Sequence, residues 1–271
     1  MPELPEVETL VVQLNRLLQG RRISKIEIRN TSILQTPPLE FEDKILGKEI
    51  EQVARRGKYI RMSLYPDLVL WFHLGMTGQL FLGSPRALSP HTHFIFSFFD
   101  STRQLLYRDV RRFGRIELTP ADENEAPEGV KKLGLEPEAW KPQDLVSLFK
   151  KRQGRIKSLL LDQRSVAGLG NIYADESLHR AGIHPLRRAR GISCAKLGLL
   201  HQAMCEVLEE AIRWGGSSID DFIHVDGTRG KFQEFHRVYG RAGKKCFNCG
   251  TLIRAVKISG RTSSFCPYCQ R

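Results

Sequence analysis

The 271-residue sequence has no uninterrupted apolar run of 18 residues, so it predicts no transmembrane helix. It also lacks a secretory start. Glu3, Glu6 and Glu8 stand where a signal peptide needs a basic end and an apolar stretch, and the expected location is cytoplasmic, nucleoid-associated when bound to DNA. No internal repeat or low-complexity tract interrupts the chain, and a 41% hydrophobic content is enough to build one or two packed domains. Acidic residues are scarce at the C-terminal end: from Asp226 to Arg271 there are ten Lys/Arg and two Asp/Glu. The whole chain carries a net charge of +12. Such a balance excludes acid-seeking partners and favours a polyanion, with nucleic acid the obvious one.

Cysteine is sparse as well, with six in all. Cys194 and Cys205 fall in a helix-patterned apolar stretch and read as small core residues. The other four form Cys246-x2-Cys249, sixteen residues, then Cys266-x2-Cys269. Two such knuckles supply four thiolates for one tetrahedral zinc ion. A closed four-sulfur site leaves no open coordination position, so this zinc is structural. Arg254, Lys257 and Arg261 lie between the knuckles, as on a metal-held β-hairpin that presents cations.

Periodicity divides the chain. Val7, Leu10, Val11, Leu14, Leu17 and Leu18 repeat at three- and four-residue steps, predicting an amphipathic helix over residues 3–19 that stops at Gly20. The pattern then changes to short strands around Ile26–Ile28, 59–64, 68–74 and 94–99, spaced by turn residues as in a sandwich. Residues 119–142 are rich in Pro, Glu and Ala and read as a linker. Helices are predicted near 142–151, 155–164, 171–181 and 193–214, followed by a long loop over 217–236 and a metal module over 241–271. The expected architecture is α+β and multidomain: an N-terminal β-sandwich with a leading helix (1–118), a linker (119–141), a helical helix–two-turn–helix domain (142–225), a connecting segment (226–240) and a zinc ribbon (241–271).

Two local features bear on chemistry. Gly168-Leu-Gly170-Asn171 lies between predicted helices; the glycines allow close backbone approach, and Asn171 would cap a helix whose N-terminus suits a phosphate. At the start, Pro2 would become a terminal secondary amine once Met1 is removed. An α-amine of pKa about 7.7–8 has a sizeable neutral fraction near pH 7. In that form it can attack an aldehydic carbon to form an iminium. Glu3 and Glu6 lie close by as acids or bases.

The stretch Met1-Pro-Glu-Leu-Pro-Glu-Val-Glu-Thr9 resembles the start of formamidopyrimidine-DNA glycosylases. The likeness continues, in order and over essentially the whole chain, through Arg55-Arg-Gly-Lys-Tyr59, His73-Leu-Gly-Met-Thr-Gly78, Asp109-Val-Arg-Arg-Phe-Gly114, Gly168-Leu-Gly-Asn-Ile-Tyr173, Gly182-Ile-His-Pro185, Gly215-Gly-Ser-Ser218, Val238-Tyr-Gly240 and the cysteine module. The resemblance implies a bifunctional glycosylase and AP lyase that excises oxidised purines, 8-oxoguanine and formamidopyrimidines, from double-stranded DNA. It acts through a Pro2 Schiff base followed by β,δ-elimination.

The same resemblance assigns the site. The Pro2 amine attacks C1′, Glu3 supplies a proton to the opening sugar, Lys58 assists β-elimination and Arg261 is the proton donor for δ-elimination, though a guanidinium suits a phosphate clamp better. Met76, Arg111 and Phe113 fill the gap left by an everted base. His91, Arg111, Arg152, Lys157 and Asn171, with Lys58 and Arg261, contact phosphates, and His73 is either a further contact or a core residue. About six cationic contacts imply binding that weakens steeply with salt. One structural zinc, no organic cofactor and a monomer are expected. This sequence departs from the family pattern at Ser158, where Pro is common, and at Phe235-His236-Arg237. Two readings stay open: an endonuclease VIII-like enzyme for oxidised pyrimidines, and a non-catalytic DNA-binding homologue.

Overall fold

The computed structural model describes residues 1–84, 89–219 and 221–271. It comprises two compact units: Met1–Lys131 with Trp214–Lys231, and Lys132–Arg213 with Phe232–Arg271.

The first unit begins with helix α1 (Leu4–Leu18). Pro5 suits its first turn, where an amide proton has no intrahelical acceptor. Val7, Leu10, Val11, Leu14 and Leu18 form the buried stripe, and Gly20 at φ +82° ends it. Two four-stranded antiparallel sheets follow. One has the order β1 (Ile23–Ile28), β6 (Thr92–Phe98), β7 (Ser101–Asp109), β5 (Gly78–Gly83); the other has β2 (Glu49–Arg56), β3 (Tyr59–Tyr65), β4 (Leu68–His73), β8 (Arg115–Pro120). Their inward residues, among them Ile60, Phe72, Phe94, Phe96 and Ile116, join the α1 stripe in one hydrophobic core. Asn15 on α1 accepts the Val53 amide at 2.8 Å, satisfying a backbone group beside the irregular pairing at Ile50–Gln52.

Three expectations need correction in this unit. A short helix, α2 (Pro38–Ile45), lay outside the predicted elements; its two buried residues, Phe41 and Ile45, are too few for periodicity to register. Residues 121–131 are not an open linker. Ala126 and Val130, the latter on α3 (Glu128–Lys131), pack on Val69 and Trp71 from the outward face of the second sheet. The segment Trp214–Lys231 groups with this unit, anchored by Leu82 N to Val225 O at 2.9 Å and Val225 N to Gln13 Oε1 at 3.0 Å. Asp220, within the loop read over 217–236, lies outside the described residues.

The second unit contains α4 (Pro142–Lys150), α5 (Ile156–Leu161), α6 (Asn171–Arg180), α7 (Cys194–Arg213) and the hairpin β9 (Arg254–Ile258)–β10 (Arg261–Phe265). Cys194 is exposed and Cys205 half-buried, so neither is the core residue the apolar pattern suggested. The buried stripe of α7 runs through Leu197, Leu200, Met204, Val207 and Ala211, and leaves both cysteines beside it.

Candidate active site and nucleic-acid interface

At the N-terminus, Met1 is 43% exposed while Pro2 and Glu3 are buried. Glu6 organises this region with both carboxylate oxygens. Oε2 accepts the Glu3 amide at 2.8 Å and Oε1 accepts the Ser217 amide at 2.7 Å. The second bond needs glycine next door: a Cβ on Gly216, at φ +76°, would lie 2.8 Å from Glu6 Oε1 and 3.2 Å from Glu6 Cα. The chain start and the Gly215–Ser218 loop are thereby tied together within one unit. Lys58 follows Gly57 (φ +57°) in the β2–β3 turn and is 6% exposed. Its charge, after burial as the larger cause and together with Arg115, pushes the His73 imidazole down to about 4. His73 is therefore neutral near pH 7; its Nδ1 accepts the Gly75 amide at 3.2 Å.

The three gap-filling candidates are on two loops that buried Asp109 fastens together. Its carboxylate accepts the Thr77 hydroxyl at 2.5 Å, the Arg111 amide at 3.2 Å and the Gly114 amide at 2.8 Å. Met76 (43% exposed) sits on the loop that precedes β5, Arg111 and Phe113 (53% exposed) on the loop that follows β7. The Arg111 guanidinium lies 4.6 Å above the Phe113 ring. Large apolar side chains held out of the core on a rigid base are what a base-stack wedge requires. Arg112, at φ 56°, adopts a conformation rare for a side-chain-bearing residue, which marks a constrained turn. Exposed His91 is next to this site, since its carbonyl accepts the Asp109 amide at 3.0 Å.

In the second unit, Arg152 and Arg261 are exposed, and Lys157 is not. Its ammonium bonds Asp175 Oδ1 and Asn171 Oδ1, each at 2.6 Å, with no exposed surface on Lys157. Lys157, expected as a phosphate contact, is here enclosed: burial and two acceptors engage its charge. Asn171 is also not the N-cap; Gly170 is. The Asn171 Nδ2 donates instead to the Thr262 carbonyl at 2.9 Å. The preceding loop, with Gly168 at φ +90°, is held by Gln163, which accepts the Gly168 amide at 3.0 Å and donates to the Leu169 carbonyl at 2.7 Å.

Two carboxylates here escaped sequence reasoning. Asp175 accepts the Ser264 amide at 2.9 Å; burial pushes its carboxyl up to about 7 against the opposing pull of Lys157. Glu176 accepts the amides of Arg237, Val238 and Tyr239 at 2.8, 3.0 and 2.8 Å. The available signal was a pair of adjacent acids, Asp175 and Glu176, within a predicted helix.

The four cysteine sulfurs lie within 4.8 Å of one another, with Cys246–Cys269 at 4.0 Å and Cys249–Cys266 at 3.4 Å. Tetrahedral zinc with Zn–S bonds of about 2.3 Å places sulfurs roughly 3.8 Å apart, so this donor set fits one structural zinc. Between the knuckles, Ser259 (φ 48°) and Gly260 (φ 74°) make the two-residue turn of the hairpin, as type I′ geometry demands.

Family models match in chain order: the formamidopyrimidine-DNA glycosylase N-terminal domain over residues 1–116, the H2TH domain of that enzyme over 133–223, and the zinc finger found in FPG and IleRS over 243–271. A formamidopyrimidine-DNA glycosylase of Solibacter usitatus is 46% identical over all of both chains. The chain belongs to the formamidopyrimidine-DNA glycosylase family. The Pelotomaculum thermopropionicum glycosylase is 42% identical, covering all of this chain and 99% of its own. Among solved glycosylase structures, the Lactococcus lactis Fpg complexed with DNA containing an abasic site has a TM-score of 0.92 at 38% identity, with 99% of each chain covered. MutM with DNA containing carbocyclic 8-oxo-G has a TM-score of 0.92 at 39% identity, covering both chains fully. No helix among the described residues is long and apolar enough to cross a membrane.

Proposed function

We propose that this glycosylase excises oxidised purines from double-stranded DNA in base excision repair and then nicks the strand, with Pro2 as nucleophile. Removal of the exposed Met1 frees the Pro2 amine. Its lone pair attacks C1′ and the N-glycosidic electrons leave with the damaged base, which takes up a proton. The sugar ring opens to an iminium, and Glu3 supplies the proton to the ring oxygen. Loss of a C2′ proton, assisted by Lys58, expels the 3′ phosphate; loss of a C4′ proton then expels the 5′ phosphate from C5′, and Arg261 stabilises its charge. Arg261 acts as a clamp, because a guanidinium does not give up protons near neutral pH. Water then hydrolyses the imine.

The observation that carries this reading is the buried Pro2–Glu3–Glu6 start, tied to the Gly215–Ser218 loop in the same unit as Lys58 and the exposed Met76, Arg111 and Phe113. Everting the base leaves a hole that these three side chains are suited to fill. Monomeric action on cytoplasmic DNA belongs to the same proposal.

Borohydride trapping tests it. The mature protein is expected to form a covalent adduct with a duplex carrying 8-oxoguanine opposite C, and a retained N-terminal tag, which leaves the Pro2 nitrogen as an amide, to abolish the adduct while DNA is still bound. No adduct from a protein with a verified Pro2 terminus would leave a DNA-binding homologue. Faster cleavage of a thymine glycol duplex would move the assignment to an endonuclease VIII-like enzyme.

A further inference from the structure

Arg261 starts β10 directly after the Ser259–Gly260 turn. In a two-stranded sheet, the edge of β10 away from β9 has backbone groups without a strand partner. Here that edge is engaged at two points by α6, and the turn before it by α5. The Ser259 hydroxyl meets the Ser158 hydroxyl at 3.0 Å, the Thr262 carbonyl accepts from Asn171 at 2.9 Å, and the Ser264 amide donates to Asp175 at 2.9 Å. Thr262 and Ser264 are two residues apart, so their backbone groups point to the same side. Asn171 and Asp175 are four apart, so their side chains share one face of α6. Lys157 bridges the two acceptors at 2.6 Å each and fixes both side chains in the orientation the strand needs.

We propose that Asp175 is a positioning residue: with Lys157 and Asn171 it locks the register of β10 against α6, and so sets where Arg261 stands during elimination. Anchors lie two residues before Arg261 and one after it, which leaves the backbone of Arg261 little freedom. The carboxylate serves both ends of the clamp, with one oxygen on the Ser264 amide and the other on the Lys157 ammonium. Ser158, where the family commonly has Pro, supplies the outermost of the three anchors. Misplacing a reacting group by about 1 Å can cost roughly 100-fold in rate. The clamp therefore acts on the step that uses Arg261 and not on attack by Pro2.

This inference rests on the proposed lyase reaction, and its test separates the two. Zinc-loaded full-length Asp175→Ala and the apolar double variant Lys157→Met/Asp175→Leu would be compared with the parent by borohydride trapping at saturating DNA, by the ratio of β- to β,δ-elimination products, and by amide hydrogen exchange over 255–264. Both variants are expected to retain adduct formation within about threefold, to lose at least tenfold in δ-elimination, and to exchange faster around Ser264. The double variant, free of an unpaired buried charge, is expected to melt close to the parent and still show the elimination defect. Restoration of δ-elimination in the double variant would overturn the proposal, as would equal losses in excision and δ-elimination, or unchanged exchange at Ser264. Absence of any adduct with the parent enzyme would instead refute the lyase reading, and hydrogen exchange alone would then decide whether the clamp holds the strand.

Discussion

Gly114 offers a direct check on how the wedge loops are built. A Cβ at this position would lie 1.7 Å from the Tyr107 hydroxyl oxygen and 3.0 Å from both Tyr107 Cζ and the His73 carbonyl oxygen. Tyr107 has no exposed surface, its ring lies 6.3 Å from that of Phe72 in a stacked arrangement, and its hydroxyl finds no hydrogen-bond partner among the described residues. Ordinary carbon contact is about 3.5 Å, so Gly114→Ala requires a displacement of roughly 2 Å in a packed interior. Overpacking of this severity costs about 3 kcal/mol. Tyr107→Phe removes the clashing atom and an unpaired buried hydroxyl, and alone should stabilise by about 1 kcal/mol. In the double variant the nearest side-chain approach becomes 3.0 Å, which a shift of about 0.5 Å relieves. A coupling of about 2 kcal/mol is therefore expected between the two sites. For a chain of this size each kcal/mol moves the melting midpoint by roughly 2–4 °C, so thermal melting of the four proteins reads the cycle. Because Gly114 bonds Asp109, which also holds Arg111, lesion-duplex binding should weaken in Gly114→Ala and recover with Tyr107→Phe. A Gly114→Ala protein that melts with the parent, or additivity in the double variant, would refute the crowding argument.

The remaining expectations are simpler. Chelation should remove one zinc per chain, unfold the hairpin module and weaken DNA binding at least tenfold, read by metal analysis and fluorescence anisotropy. Burial holds buried His236 down to about 4, against 6.5 when unfolded. The unfolded state then binds more protons between these values, so stability is full above about pH 6.5 and falls by up to about 3 kcal/mol as pH drops toward 4. His236→Gln should remove the His236 share of that slope in melts across the window, leaving the share of His73, which burial also holds down to about 4. About six cationic phosphate contacts imply a plot of log K against log salt with a slope near −5; a slope near zero would refute the basic-face reading.

Features carried by neighbouring residues were legible before any fold was known. The cysteine spacing specifies a zinc module because all four ligands come from two short knuckles. The α1 stripe follows from helical period, and the main helices of the second unit lie within a few residues of their expected bounds because three- and four-residue periodicity is a local property. Composition pointed to a polyanion through charge alone. Other features depended on partners distant in sequence. Lys157 reads as one more surface cation until Asp175 and Asn171, 18 and 14 residues away, enclose it. Asn171 reads as a helix cap until Thr262, 91 residues on, takes its amide. Glu6 meets Ser217 across 211 residues, and nothing near either announces the bond. Met76 and Phe113 have the composition of core residues; only the paired loops around Asp109 leave them exposed. Local spacing determines which elements form and which ion is bound. Whether a charge is a contact or a clamp is decided by what the fold buries beside it, because desolvation and pairing act through space and not along the chain.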